Sequence, residues 1–160
     1  MATIHCPECE DGDPCPHHHL YVIQLRDEIG KLYSRKSGKG YLYVGSTTVS
    51  VEKRGKSNFT RIDGSYVDPD VLYEDRKLPV EQQKWPEDGK WKYNTRSIPK
   101  IRSYFLEYRT DLVLYDNPIP YEKNDPGKTE RFEGRLADKL RNRGWIVINR
   151  VSRRRDRESN

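Results

Sequence analysis

The chain is short of apolar residues and of cysteine. Only 33% of its 160 residues are hydrophobic, against 34% charged, so a small core and a heavily solvated surface are expected. No apolar run approaches the roughly 20 residues that a membrane-spanning helix requires, and the first residues lack the apolar stretch of a secretory signal. The expectation is a soluble, cytoplasmic protein with no membrane partner. The three cysteines are odd in number and all fall within the first fifteen residues. That distribution argues against a disulfide framework and for a local thiol site in a reducing compartment. No internal repeat is present.

What the chain does have is length for one domain with a real core, and a positive balance. Its formal net charge is +5, which favours a polyanionic partner because neutralised phosphates release counterions. Residues 1–18 form a compositional zone of their own, rich in Cys, His, Pro and acid. Residues 20–25 read as a strand with apolar side chains on both faces, Leu20 and Val22 on one and Ile23 and Leu25 on the other. Residues 27–40 read as a hairpin connection and residues 41–45 as a second strand. Apolar character on both faces implies helices on both sides of the sheet.

Ser46 or Thr47 is expected to cap a short helix carrying Arg54. From Gly55 to Asn94 no sustained period is visible, and a loop of that length is usually functional or disordered. Ser97-Ile98-Pro99 starts another helix, with Ile101, Tyr104 and Phe105 able to share a face. Leu112-Val113-Leu114 marks a third strand over 111–115. The clearest helix opens at Asp125-Pro126 and ends before Gly144. Residues 145–148 form a last extended run, and 151–160 a basic, arginine-rich tail.

Five polar residues stand out along this order: Tyr21 in His19-Leu20-Tyr21, Tyr43 in Tyr43-Val44-Gly45-Ser46-Thr47, Arg54, Glu133 and Asn149. If the strands of Tyr21 and Tyr43 pair, both phenols project from one sheet face, and the following helix returns Arg54 towards it. On the long helix Phe132, Leu136 and Leu140 make an apolar stripe at i, i+4, i+8. Glu133 falls at the edge of that stripe, where a carboxylate is costly unless a cation or donor meets it; a metal ion and a neighbouring arginine are the two candidates. Glu130, one turn earlier, borders the same stripe and is the rival acid, but Glu133 sits deeper in the apolar arc.

These residues and their neighbours resemble the GIY-YIG nuclease family. His19-Leu20-Tyr21 is similar to the family's Gly-Ile-Tyr and Tyr43-Val44-Gly45 to its Tyr-Ile-Gly, while Arg54, Glu133 and Asn149 match its arginine, glutamate and late asparagine. The likeness covers roughly residues 19–54 and 97–150. It departs in three places: His19 replaces the leading glycine, the separation of the tyrosines is longer than usual, and Asn58 stands where many members carry a histidine. The resemblance implies an α/β chain of α+β type, with a small central, mainly antiparallel three-stranded sheet flanked by helices. The nuclease domain would span 19–150, with an inserted segment at about 55–96.

It further implies a metal-dependent endonuclease acting on DNA, of restriction, mobile-element, repair or phage type. Glu133 would hold Mg²⁺ or Mn²⁺ at the scissile phosphate, Arg54 would neutralise phosphoryl oxygens, Tyr21 or Tyr43 would position or deprotonate the attacking water, and Asn149 would orient groups around them. Lys53, Lys56, Arg61, Lys92 and Arg96, with Trp85 and Trp91, are the candidate nucleic-acid contacts, since bases stack on aromatics beside basic side chains. Whether the chain acts as a monomer or a homodimer is left open.

The cysteine-rich head offers Cys6-Pro7-Glu8-Cys9, then Cys15, His17 and His18, a donor set suited to a structural Zn²⁺ knuckle. The competing interpretation is therefore a zinc-containing nucleic-acid-binding module without catalysis, in which Glu133 only pairs with an arginine.

Overall fold

Alternating apolar side chains oblige the two leading strands to bury both of their faces. The computed structural model of the protein, which describes residues 17–33, 39–47, 51–93, 98–115, 119–120 and 128–148, is built around them. β1 (His17–Leu25) and β2 (Tyr41–Thr47) pair antiparallel, with Tyr21 opposite Gly45 and Ile23 opposite Tyr43. The connection between them includes a 3₁₀ turn over Asp27–Leu32 that buries Ile29. α1 (Val51–Asn58) follows, then α2 (Pro69–Arg76) and α3 (Ile98–Tyr104).

β3 (Phe105–Tyr108) adds to the free side of β1, antiparallel, and the short β4 (Ile119–Pro120) pairs with the start of β1. α4 (Lys128–Asn142) leads into β5 (Ile146–Val147), which runs parallel to β2. The result is a mixed sheet of order β3-β1-β2-β5 in an α+β chain with helices on both faces. Among the described residues no helix is long and apolar enough to cross a membrane.

Two features of the sheet differ from expectation. It has more than three strands, and β5 makes it mixed. The third strand also lies at Phe105–Tyr108, not at 111–115, where Thr110–Leu112 is a 3₁₀ turn. The reason is physical. Leu112 and Val113 are both buried against the β1–β2 face, so this consecutive apolar run is satisfied by packing and needs no ladder partner. Phe105–Tyr108 is half exposed and polar in part, which hides it as a strand.

The parity of β1 and β2 divides the core in two. Leu20 and Val22 with Leu42 and Val44 pack under Leu136, Ala137 and Leu140 of α4. Tyr21, Ile23 and Leu25 with Tyr41 pack under Val51 of α1 and Ile98 and Ile101 of α3. Burying each such aliphatic side chain contributes about 1.5–3 kcal/mol, and α4 docks through the stripe its i, i+4 spacing predicts.

Residues 59–93, expected as a loop without periodic structure, instead hold α2 and a core of their own: Phe59, Val67, Leu72 and Trp91. α2 begins at Asp68, whose side chain accepts a hydrogen bond from the Asp70 amide, with Pro69 in the first turn; both devices favour a helix start. Asp75 is buried, and its carboxylate accepts from the backbone amides of Lys84 and Trp85 at 2.9 and 3.0 Å. That tie closes the segment back on its helix. Residues 59–93 carry six basic and eight acidic side chains, so the positive charge of the chain resides elsewhere.

Candidate active site

Successive residues of a strand point to opposite faces, and this rule assembles the site at the end of β2. Ser46 points to the α4 side, where its hydroxyl donates to Glu133 Oε1 at 2.5 Å. Thr47 points to the α1 side, where its Oγ1 accepts from Arg54 Nε at 3.3 Å. Contrary to the expectation from the sequence, neither residue caps α1; both are the last members of β2, and α1 starts only at Val51. Two adjacent hydroxyls thus hold an acid from one side of the sheet and a guanidinium from the other.

Tyr21 and Tyr43 share the α1 face with ring centres 6.3 Å apart. Tyr21 lies across Gly45, its register partner: a Cβ there would come within 2.5 Å of the phenol oxygen. Gly45 therefore does more than free the chain to leave the strand; it makes the space the first tyrosine occupies. A third phenol, Tyr108 of β3, meets Tyr21 edge-on at 6.3 Å. Its hydroxyl presses against the backbone of Gly55 where no Cβ could fit. A glycine inside a helix costs about 1 kcal/mol relative to alanine, and the tyrosine at that position accounts for it.

The phenol of Tyr21 is pushed well above the ordinary tyrosine range. Burial is the main cause; Tyr43, Tyr108 and Glu133 push the same way, and Arg54 opposes them. Glu133 itself is raised above the usual carboxyl range by burial, with Ser46 opposing and Glu130 adding to the rise. Glu130 is exposed, whereas Glu133 is partly buried on the α4 side of the sheet, against the end of β2. Its expected arginine partner does not form: among the described residues its hydrogen-bond partner is the Ser46 hydroxyl. Arg54 stacks its guanidinium over Tyr93, 4.2 Å from the ring centre.

Asn58 is buried, and its backbone carbonyl accepts from Arg102 Nε at 2.7 Å. The position that could have held a histidine is used to anchor α1. Arg61 makes a two-point pair with Asp88, at 3.1 and 3.2 Å, and stacks on Trp91. Trp91 is buried in the small core of residues 59–93 and offers no face to a base. Lys56 and Lys92 are exposed, and Trp85 packs at the edge of the same small core. Cys6, Cys9, Cys15, Arg96 and Asn149 lie outside the described residues, as do the side chains of His17, His18 and Lys53.

Among the described residues no three His, Cys, Asp or Glu side chains cluster as a metal cage. A magnesium site does not need one: Mg²⁺ is commonly held by one or two carboxylates together with substrate phosphate and water. Glu133 is a hard oxygen donor with one oxygen engaged by Ser46, and it fits that role. Comparison with protein-family models, with curated proteins and with solved structures returned no match.

Proposed function

We propose that the protein is a metal-dependent endonuclease of GIY-YIG type that hydrolyses DNA phosphodiester bonds. Its catalytic residues are Tyr21, Tyr43, Arg54 and Glu133, with Asn149 as a fifth member. The observation that supports this best is geometric: Ser46 holds Glu133 and Thr47 holds Arg54, so an acid and a guanidinium are fastened to adjacent residues at the end of β2, on the strand that carries Tyr43 and pairs with that of Tyr21. A carboxylate and a guanidinium drawn from opposite sides of a sheet have no structural need to be fastened to adjacent residues of one strand. Phosphoryl transfer does need them together, because charge on the phosphorus oxygens must be neutralised where a cation is also held.

The roles follow from the environments. Arg54 is half-buried and held at Nε by Thr47, which leaves its terminal nitrogens to meet phosphoryl oxygens. Tyr21 keeps its proton across the physiological range and donates it as a hydrogen bond. Tyr43, the less buried of the pair, positions the attacking water, and takes its proton only as the phenolate, a form that a neighbouring cation must stabilise. Glu133 holds Mg²⁺ or Mn²⁺; when bound, the ion supplies Lewis-acid stabilisation at the phosphate and leaving oxygen. The net negative segment 59–93 is a poor DNA surface, so the duplex is expected to lie over α1 and its exposed Lys56.

Nicking of supercoiled plasmid tests the assignment. The parent protein should convert it to open circles only with Mg²⁺ or Mn²⁺. Glu133→Gln should abolish nicking while retaining DNA retardation in a gel. An intact plasmid under every divalent ion, or full activity in Glu133→Gln, would remove the proposal.

A further inference from the structure

Arg102 is the one cation whose side chain is fully buried in an ion pair among the described residues, at 0% exposure. Its three groups reach three places. Nε donates to the Asn58 carbonyl at the end of α1, Nη2 to the Tyr93 carbonyl at 2.7 Å, and Nη1 to Glu87 at 2.5 Å. Its plane lies 4.3 Å from the centre of the Trp91 ring. Asn58 and Tyr93 flank the insertion, so one guanidinium pins its entrance and its exit together. Glu87, which also accepts from Arg76 at 2.8 Å, ties that clasp to the end of α2.

The exit residue matters because of what its ring touches. Tyr93 emerges from the clasp directly under the guanidinium of Arg54. Among the described residues Arg54 has one further restraint, the long hydrogen bond to Thr47, and a four-bond arginine side chain held at a single nitrogen samples several rotamers. An aromatic face beneath the guanidinium removes most of them and leaves the edge nitrogens free to meet a phosphate, since cation and ring attract through the face.

We infer that Tyr93 and Arg102 are positioning residues for Arg54, and that the insertion serves to hold this arginine and not to grip DNA. The inference rests on Arg54 being the phosphate-neutralising group of the proposed nuclease. It explains three features together: the insertion has its own core, it is net acidic, and its two ends meet on a buried cation. A loop that only contacted substrate would need none of these.

Two readouts separate this claim from the nuclease assignment. The first is the NMR resonance of the Arg54 Nε–H and δ-methylene, shifted upfield by the ring current of Tyr93 whether or not the protein cuts DNA. Tyr93→Phe should keep that shift and Tyr93→Leu should lose it. The second is single-turnover nicking. Tyr93→Leu should slow it by about tenfold with substrate affinity changed less than twofold, and Tyr93→Phe should stay within twofold of the parent.

Should Tyr93→Leu fail to fold, Tyr93→His replaces it. Its ring is neutral above and cationic below a pH of about 6.5, so nicking should fall on acidification more steeply than in Tyr93→Phe. An unshifted Arg54 resonance in the parent, equal losses in the Phe and Leu variants, or parallel pH profiles for Phe and His would each overturn the inference. A parent that shows the ring-current shift but never nicks DNA would overturn the nuclease reading and leave the clasp standing.

Discussion

A methyl group at position 45 probes the packing of the first phenol. A Cβ on Gly45 would lie 2.5 Å from the Tyr21 hydroxyl, 2.6 Å from Cζ and 3.0 Å from Cε2. Non-bonded carbons settle at about 3.5–4.0 Å, so the ring must withdraw by about 1 Å. Little space receives it: Tyr21 is 7% exposed, with Tyr43 tilted against one side and Tyr108 edge-on at another. Overpacking of this kind costs about 1–3 kcal/mol. Against it stands the ordinary gain from replacing a strand glycine by alanine, about 0.5–1 kcal/mol. The clash is the larger effect, and Gly45→Ala should be destabilised.

At about 2–4 °C per kcal/mol for a chain of this length, thermal unfolding should drop by a few degrees. Nicking should suffer more, since a positioned group moved by about 1 Å can lose roughly 100-fold in rate. A double-mutant cycle identifies the cause. In a Tyr21→Ala background the ring is gone, so Gly45→Ala should be neutral or stabilising, giving a coupling above about 1 kcal/mol. Equal cost of Gly45→Ala in both backgrounds would refute the packing of Tyr21 on Gly45 and, with it, the placement of that phenol.

Two further outcomes follow from local chemistry. Because burial raises Glu133 above the usual carboxyl range, the metal-free native state binds its proton more readily than the unfolded chain. This contribution to stability is present below the unfolded carboxylate range and is lost as pH rises through the folded value. Removal of divalent ions with EDTA followed by melting across mildly acidic to neutral pH should therefore show Glu133→Gln gaining on the parent as pH rises; a constant difference would contradict the burial argument. Asp75→Ala strands the amides of Lys84 and Trp85 without their acceptor, at about 1–3 kcal/mol for each buried group left unpaired, so urea denaturation should show a loss of about 2–5 kcal/mol. A loss under about 0.5 kcal/mol would mean those amides find other partners.

What the sequence made legible was whatever repeats locally. The alternation of Leu20 to Leu25 and of Tyr41 to Val44 identified a pair of strands with two buried faces, and the i, i+4 stripe of α4 placed Glu133 at the edge of its apolar arc. Gly144 after that helix was legible for the same reason. Tyr108 was not, because β3 has four residues, half exposed, with no period to read. A trace of it existed in Gly55, a glycine inside a helix that asks for a close neighbour. α2 escaped because an eight-residue helix burying only Leu72 and Asp75 gives no hydrophobic repeat; its Asp68-Pro69 start was the available sign. In place of the arginine expected beside Glu133 stands a contact no pattern encodes, the hydroxyl of a serine 87 positions earlier.

The parity of β2 explains why distant segments can share one site here and why their spacing is free to vary. Ser46 and Thr47 address opposite faces only while β2 keeps its register with β1, since a slip of one residue exchanges the faces. That register is held by Val22 against Val44 and Tyr21 against Gly45, residues buried on both sides. Chain length between Arg54 and Glu133 then matters little, because loop closure grows only as the logarithm of length. The insertion lengthens that interval, yet its ends return to one buried guanidinium at the foot of α1. Arg54 is presented by elements that precede the insertion and is steadied by the residue that closes it, so the added segment reinforces the site in place of displacing it.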